Sequence, residues 1–193
     1  MLFRSLWIGT AGGGVNRFVE GKFSPWPAPP EIRCADISSL YCDEADTLWI
    51  GTRGSGLIRM AGNRWTRFTT REGLANNSIG YLIEDRIGHL WIGSTAGLMR
   101  VNRADLDKAA GEARPRVACR SYGKPDGLPT QACTTTSQPG ACRDPQGRLW
   151  FATTKGLVGV DPAELKPNPH RPSVVVEDVR VVLIKLADRL HNM

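Results

Sequence analysis

Three aspartates, Asp43, Asp85 and Asp144, recur at one phase of this chain, each six residues before a tryptophan (Trp49, Trp91, Trp150). Two of them stand in carboxylate pairs, Asp43-Glu44 and Glu84-Asp85, which elsewhere would suggest a general acid beside a general base. Here each pair runs into a turn, with Asp46, Gly88 and Gly147 three residues before the Trp. An Asp side chain caps such a turn by bonding to its own backbone, and Gly or Asp tolerates the positive φ that the turn needs. The pairs therefore read as turn chemistry. The histidines His89, His170 and His191 stand apart in sequence and offer no Ser–His–Asp arrangement. Five cysteines (Cys34, Cys42, Cys119, Cys133, Cys142) contain no CxxC pair, which argues against a zinc site and against a complete disulfide framework. They are expected as small buried hydrophobes, with a bridge from Cys133 to Cys142 or Cys119 as the oxidising-compartment alternative. No catalytic residue, metal site or cofactor is expected. The side chains suited to binding are donors in turns: Arg53 and Ser55, then Arg71, Asn76 and Asn77, and Lys155.

What positions these residues is a repeat. Leu-Trp-Ile-Gly-Thr opens at Leu6, returns at Leu48, and recurs as LWIGS at Leu90 and LWFAT at Leu149. Trp7 to Trp49 is 42 residues, Trp49 to Trp91 is again 42, and Trp91 to Trp150 is 59, one period plus 17. Within Asp36 to Phe68, four short β-rich runs (37–42, 47–52, 57–60 and 64–68) are separated by turns. Four short strands per unit and a period in the forties predict an all-β fragment of a β-propeller, about 3–4 four-stranded blades. Trp7, Trp49, Trp91 and Trp150 are expected to fill the wedges between sheets, with a sugar-stacking platform as the sharper alternative. Small residues after them (Gly51, Gly93, Ala152) are expected where the neighbouring backbone comes close. Gly12-Gly13-Gly14 does not read as a phosphate loop, because a strand and not a helix follows. The 17 extra residues fall mostly between the third and fourth runs, where Asn102 to Arg116 is expected as a partly helical surface excursion capped by Asp105 and stopped by Pro115.

Past Pro162 the repeat is lost. The chain divides into blades at 6–162, a Pro-rich linker at 163–172, a β-branched run at 173–182 expected to begin another domain, and a helical tail at 183–193. Four marked units with partial ends do not close a ring, so a longer protein is expected. The net charge of +6 is spread over alternating strand positions such as Arg59, Arg64, Arg67 and Arg100, which reads first as a solvated face and gives little support to nucleic acid, so no nucleic-acid partner is expected. No run of about 18 apolar residues is present to span a membrane.

Ser78 to Ser94 (SIGYLIEDRIGHLWIGS), followed by Gly97 to Val101 and led in by Arg71 to Asn77 (REGLANN), resembles the two-component regulator propeller repeat, as does Asp144 to Asp161 (DPQGRLWFATTKGLVGVD). The resemblance covers Leu6 to about Pro162. It implies a periplasmic ligand-sensing segment whose parent, a histidine kinase, hybrid regulator or diguanylate cyclase, is a dimer anchored in the inner membrane. It also implies the remaining blades as partners and a small-molecule ligand, oligosaccharides among the candidates. In that family residues like 173–182 begin a β-sandwich, and the repeat has no ligand motif to carry over. A protein–protein scaffold is the first alternative and a propeller lyase or hydrolase the second. The tail LIKLADRLHNM (183–193) resembles instead a helix of the hydrolase domain of stringent-response alarmone synthetase–hydrolases, in which the residues matching Asp188 and Asn192 meet metal and nucleotide. The rest of that site has no match in this sequence, so the tail is expected to be foreign to the blades, as are residues 1–5.

Overall fold

The computed structural model describes residues 6–25, 28–135 and 139–165. The expected linker from 166 on, the run at 173–182 and the tail at 183–193 lie outside the described residues.

Four antiparallel sheets follow one another along the chain. The first comprises β1 (Leu6–Thr10), β2 (Gly14–Val19) and β3 (Lys22–Pro25), and a one-turn helix α1 (Pro30–Arg33) leads out of it. The second is β4 (Ile37–Cys42), β5 (Leu48–Thr52), β6 (Leu57–Ala61) and β7 (Arg64–Phe68). The third is β8 (Ile79–Glu84), β9 (His89–Ser94), β10 (Gly97–Asn102) and β11 (Cys119–Tyr122), with α2 (Arg103–Ala109) between its last two strands. The fourth is β12 (Ala141–Arg143), β13 (Leu149–Thr153) and β14 (Gly156–Val160). The fold is a β-propeller fragment. Two blades have four strands and two have three among the described residues.

The repeated residues now have defined work. In the second sheet Asp43 Oδ1 accepts the backbone N–H groups of Ala45 (3.0 Å) and Thr47 (2.9 Å), closing the turn as its sequence predicts. Its other oxygen, Oδ2, accepts the indole N–H of Trp49 at 3.0 Å. The third sheet repeats the pattern with Asp85: Ile87 and His89 N–H on Oδ1, and Trp91 Nε1 on Oδ2 at 2.8 Å. Asp144 holds Arg148 N–H and, at 3.0 Å, Trp150 Nε1. One carboxylate thus fixes a hairpin and orients the ring six residues on, so a buried indole N–H is not left without an acceptor. Asp46 (φ 58°), Gly88 (φ 86°) and Gly147 (φ 98°) take the left-handed conformation in these turns.

An arginine on the strand that follows the Trp strand lies over the face of each ring in the first three sheets: Arg17 on Trp7, Arg59 on Trp49 and Arg100 on Trp91, 5.4 to 5.7 Å from the centroids. In the fourth sheet the position facing Trp150 across the strands is Gly159, and Arg148 covers the ring instead. The arginines on alternating strand positions are therefore partly committed to aromatic rings and are not simply a solvated face.

Sheets meet through side chains. A Cβ placed on Gly51 would strike Ser39 of its own sheet and Ile79 of the next, one on Gly9 would strike Ile37 of the next sheet, and one on Gly93 would enter the ring of Tyr81, its partner within the third sheet. The expectation of close backbone is corrected at Gly51 and Gly93: side chains take the space, Ser39 and Ile79 beside Gly51 and Tyr81 beside Gly93, and Ile37 does the same beside Gly9. Trp49 and Trp91 are fully buried, whereas Trp7 and Trp150 are half-buried.

The expectation for Asn102 to Arg116 is also corrected. Asn102, not Asp105, caps α2, accepting Ala104 N–H at 2.8 Å, and the helix ends before Ala110, ahead of Pro115. Nor is the segment only a surface excursion. Leu106, Ala109, Ala110 and Val117 are buried in one cluster with Trp49, Leu57, Phe68 and Ile92. The helix seals the outer seam between the second and third sheets, and Arg59 of β6 reaches it at 2.8 Å through Asp107. All five cysteines are free. Cys133 alone is buried, and Cys34, Cys42 and Cys142 are exposed, against the expectation of small core residues.

Candidate functional site

Antiparallel order sends loops to two ends of the fold. First-to-second-strand turns gather at one end; second-to-third-strand turns and the connections between sheets gather at the other. The residues expected to bind lie at the second end. The backbone of the 53–56 turn is tied to the connection leaving its sheet, Gly54 and Gly56 N–H both donating to Asn77 C=O at 3.1 and 2.9 Å. Arg53 pairs with Ser78 in an isolated bridge, and its exposed guanidinium lies 3.7 Å from Asp36. The structure thus brings Arg53, Ser55, Asn76 and Asn77 into one loop cluster, with Arg71 in the same connection. Lys155 occupies the equivalent turn two sheets further along, exposed at its own place.

The two asparagines are largely occupied. Asn76 Oδ1 accepts Ser78 N–H at 2.6 Å, and Asn77 Oδ1 accepts Thr70 N–H at 2.8 Å. Glu72 caps the same connection, accepting Thr69 N–H and O–H at 2.7 and 2.6 Å. Partial burial opposes its ionisation, but these donors outweigh that and hold its carboxyl below the usual range. What this cluster presents outward is Arg53, Ser55 and Arg71.

The opposite end carries an open cleft of about 640 Å³ bounded by Tyr41, Asp43, Glu44 and Ala45 of the second sheet, Glu84 to Arg86 and Gly88 of the third, Arg103 of α2 and Arg143 of the fourth. Its groups cross the seams. Tyr41 O–H donates to Glu84 Oε2 at 3.0 Å, and Arg103 sits 2.9 Å from Glu84 Oε1, 3.3 Å from Asp107 and 3.4 Å from Asp43. Arg86 donates to Pro145 C=O and Arg143 donates back to Glu84 C=O, both at 3.0 Å. Burial, reinforced by the Glu84 carboxylate, pushes the Tyr41 phenol well above its ordinary range, so it keeps its proton.

The sequence reading missed this cleft. Its signal lay beside the constant Asp: the preceding positions are Cys42, Glu84 and Arg143, and the following ones Glu44, Arg86 and Pro145. The frame repeats while its flanks change chemistry. A smaller hollow of about 340 Å³ opens between the third and fourth sheets, walled by Leu98, Tyr122, Leu128, Val158 and Val160. Among the described residues no group of three or more His, Cys, Asp or Glu is placed to hold a metal, and no helix is long and apolar enough to cross a membrane.

The family model of the two-component regulator propeller matches residues 32–54 and 73–96. No curated protein matches the chain. Among solved structures, the extracellular domain of a protein assigned as a hybrid two-component system in B. thetaiotaomicron is similar at TM-score 0.70 and 23% identity, covering 97% of this chain and 24% of that one. A second such domain from the same organism gives 0.63 and 21%, over 83% of this chain and 22% of the other. PorZ, a surface component of the type-IX secretion system of Porphyromonas gingivalis, gives 0.62 and 17%, over 81% and 23%. The chain spans about a quarter of the length of each of these.

Proposed function

We propose that this chain, whose blades are two-component regulator propeller repeats, is a ligand-sensing segment of a longer signalling protein exposed to the periplasm or the cell exterior. The observation that carries this reading is the family match over two successive blades, together with an outward loop cluster at Arg53, Ser55 and Arg71 on a rigid sheet end. On this reading the segment is non-catalytic. It recognises a small molecule, oligosaccharides among the candidates, with Lys155 and the neighbouring blades completing the contact. Output belongs to the parent, a histidine kinase, hybrid regulator or diguanylate cyclase held as a dimer in the inner membrane.

The test is a binding screen on the parent's complete extracellular region, with oligosaccharides and peptides as separate arms. Arg53→Ala and Arg71→Ala are then measured by calorimetry against whatever binds. Loss of about tenfold or more in affinity in either variant supports the site. Unchanged affinity in both moves it elsewhere.

A scaffold role is the second reading. It is favoured by the similarity to PorZ, in which this fold serves a secretion-system component. Saturable binding of peptides and of no oligosaccharide would prefer it.

A further inference from the structure

We propose that the cleft at the end carrying the first-to-second-strand turns is a second binding site, selecting a small monoanionic organic acid with hydroxyls beside its carboxylate, through Arg86 and Arg143. Four features of the cleft carry this.

Its frame is fixed and its contents are not. Asp43, Asp85 and Asp144 keep one residue type in the last three units because each must hold a turn and an indole. The flanking positions, free of that duty, are Glu84 and Arg143 before the Asp and Glu44 and Arg86 after it. Chemistry that varies at a constant phase is available for recognition in a way that the frame is not.

The internal charges are settled among themselves. Asp43 and Asp85 are saturated by backbone and indole donors, and Arg103 is neutralised by Glu84, Asp107 and Asp43. The groups that remain open to an incoming molecule are Arg86, Arg143 and Glu44, all exposed along the cleft, and the oxygen of Tyr41.

The two guanidiniums are held in place with most of their donors unused. Each gives one N–H to a backbone carbonyl across the seam between the third and fourth sheets, Arg86 to Pro145 and Arg143 to Glu84. A guanidinium carries five N–H donors in a planar fork that matches a carboxylate, so an anchored one loses little freedom on binding.

The acceptors sit opposite. Tyr41 spends its proton on Glu84, which leaves the phenolic oxygen to accept from a ligand hydroxyl. Glu44 accepts a further hydroxyl and repels a second negative charge, which sets the preference for a monoanion.

The site does not depend on the loop cluster at Arg53 and Arg71, which lies at the other end of the sheets. Variants there leave it unaltered, so failure of one reading is separable from failure of the other.

The experiment is ligand-observed NMR titration of the 193-residue chain with D-gluconate. Sorbitol serves as the same hydroxyl pattern without the carboxylate, and acetate as the carboxylate without hydroxyls. Gluconate is expected to bind saturably and both controls about tenfold more weakly or worse. Arg86→Gln and Arg143→Gln are each expected to weaken gluconate about tenfold with the circular dichroism spectrum unchanged. Should either variant lose its fold, raising salt from about 20 to 500 mM on the unaltered chain replaces it and is expected to weaken gluconate several-fold with no effect on sorbitol. The proposal is overturned by absent gluconate saturation, by equal affinity for sorbitol, or by gluconate affinity indifferent to both arginines and to salt.

Discussion

Residues 6–10 and 48–52 are the same pentapeptide, Leu-Trp-Ile-Gly-Thr, in the same relation to the strand that follows, yet they live in opposite surroundings. In the second sheet every one of the five is buried, and Trp49 has no exposed surface. In the first, Leu6 is 58% exposed and Trp7 half-buried. Backbone pairing does not separate them, since β1–β2 and β5–β6 run in the same antiparallel manner. What differs is company. Strand β5 has Ile79 of the third sheet over Gly51, sends Trp49 into one apolar cluster with α2 and sends Leu48 and Ile50 into another shared with the first sheet. Strand β1 meets the second sheet on one side only, through Ile37 on Gly9 and the edge of Trp7, and Leu6 stays largely exposed. Local sequence makes the hairpin in both places, and the neighbouring sheet supplies the burial, as in other repeat arrays.

The sharpest way to break this comparison is to remove the same ring from both places. Trp49→Ala should cost about 3–5 kcal/mol, the range for a fully buried aromatic. Trp7→Ala should cost less, about 1–2 kcal/mol, because its half-buried ring only flanks the apolar cluster between the first and second sheets. Urea denaturation of the two variants measures both, and equal losses would remove the neighbour argument.

The next effect concerns the insert. Leu106→Ala should cost about 2–3 kcal/mol, because the leucine is fully buried against the second sheet. A loss below about 0.5 kcal/mol would return α2 to the status of an ordinary surface loop.

A smaller effect sets one sheet's carboxylate against another's. Asp85→Ala leaves the buried Trp91 indole N–H and two turn amides without their acceptor, at a cost of about 1–3 kcal/mol by thermal melts. Asp144→Ala, at a half-buried ring in an outer sheet, should cost less. Reversal of that order would mean that the carboxylate matters for its turn alone.

The smallest effect is a pH response. The Trp150 indole N–H, aided by backbone donors, holds the Asp144 carboxyl below its ordinary value of 3.8. A depressed pKa means that the folded state prefers the charged form. The stabilisation is therefore full above that ordinary value and is lost as pH falls through the depressed one. Trp150 fluorescence should change over that acid window and lose the change in Asp144→Asn. A change centred near neutral pH would point to another group.

Much of the fold could be read from residues, because the repeat states the same geometry several times over. The strand bounds of the second unit, the left-handed Asp46, Gly88 and Gly147, and the burial of Trp49 and Trp91 follow from period and turn chemistry. What could not be read is whatever depends on three-dimensional placement, within a hairpin or between sheets. That Asp43 bonds Trp49 is a six-residue relation in sequence but needs the hairpin's twist to appear. That Gly51 makes room for Ile79 needs the neighbouring blade. Asp105 carries the composition of a cap, yet Asn102 stands where β10 ends and takes that place. For the sites, Arg53, Asn76 and Asn77 were legible as loop residues, and the structure spends both asparagine oxygens on their own turns. Tyr41, Arg103 and Arg143 went unseen, and Glu84 was read as turn chemistry, because they meet only where three blades and α2 converge.

The measurement closest to the central claim is native-state hydrogen exchange of the two pentapeptides, resolved by their different flanking residues. Burial supplied by neighbouring sheets predicts that the amides of 48–52 exchange only with opening of the middle blades, orders of magnitude more slowly than those of 6–10. Equal protection of the two copies would contradict it, and would place the stability of each blade in its own sequence.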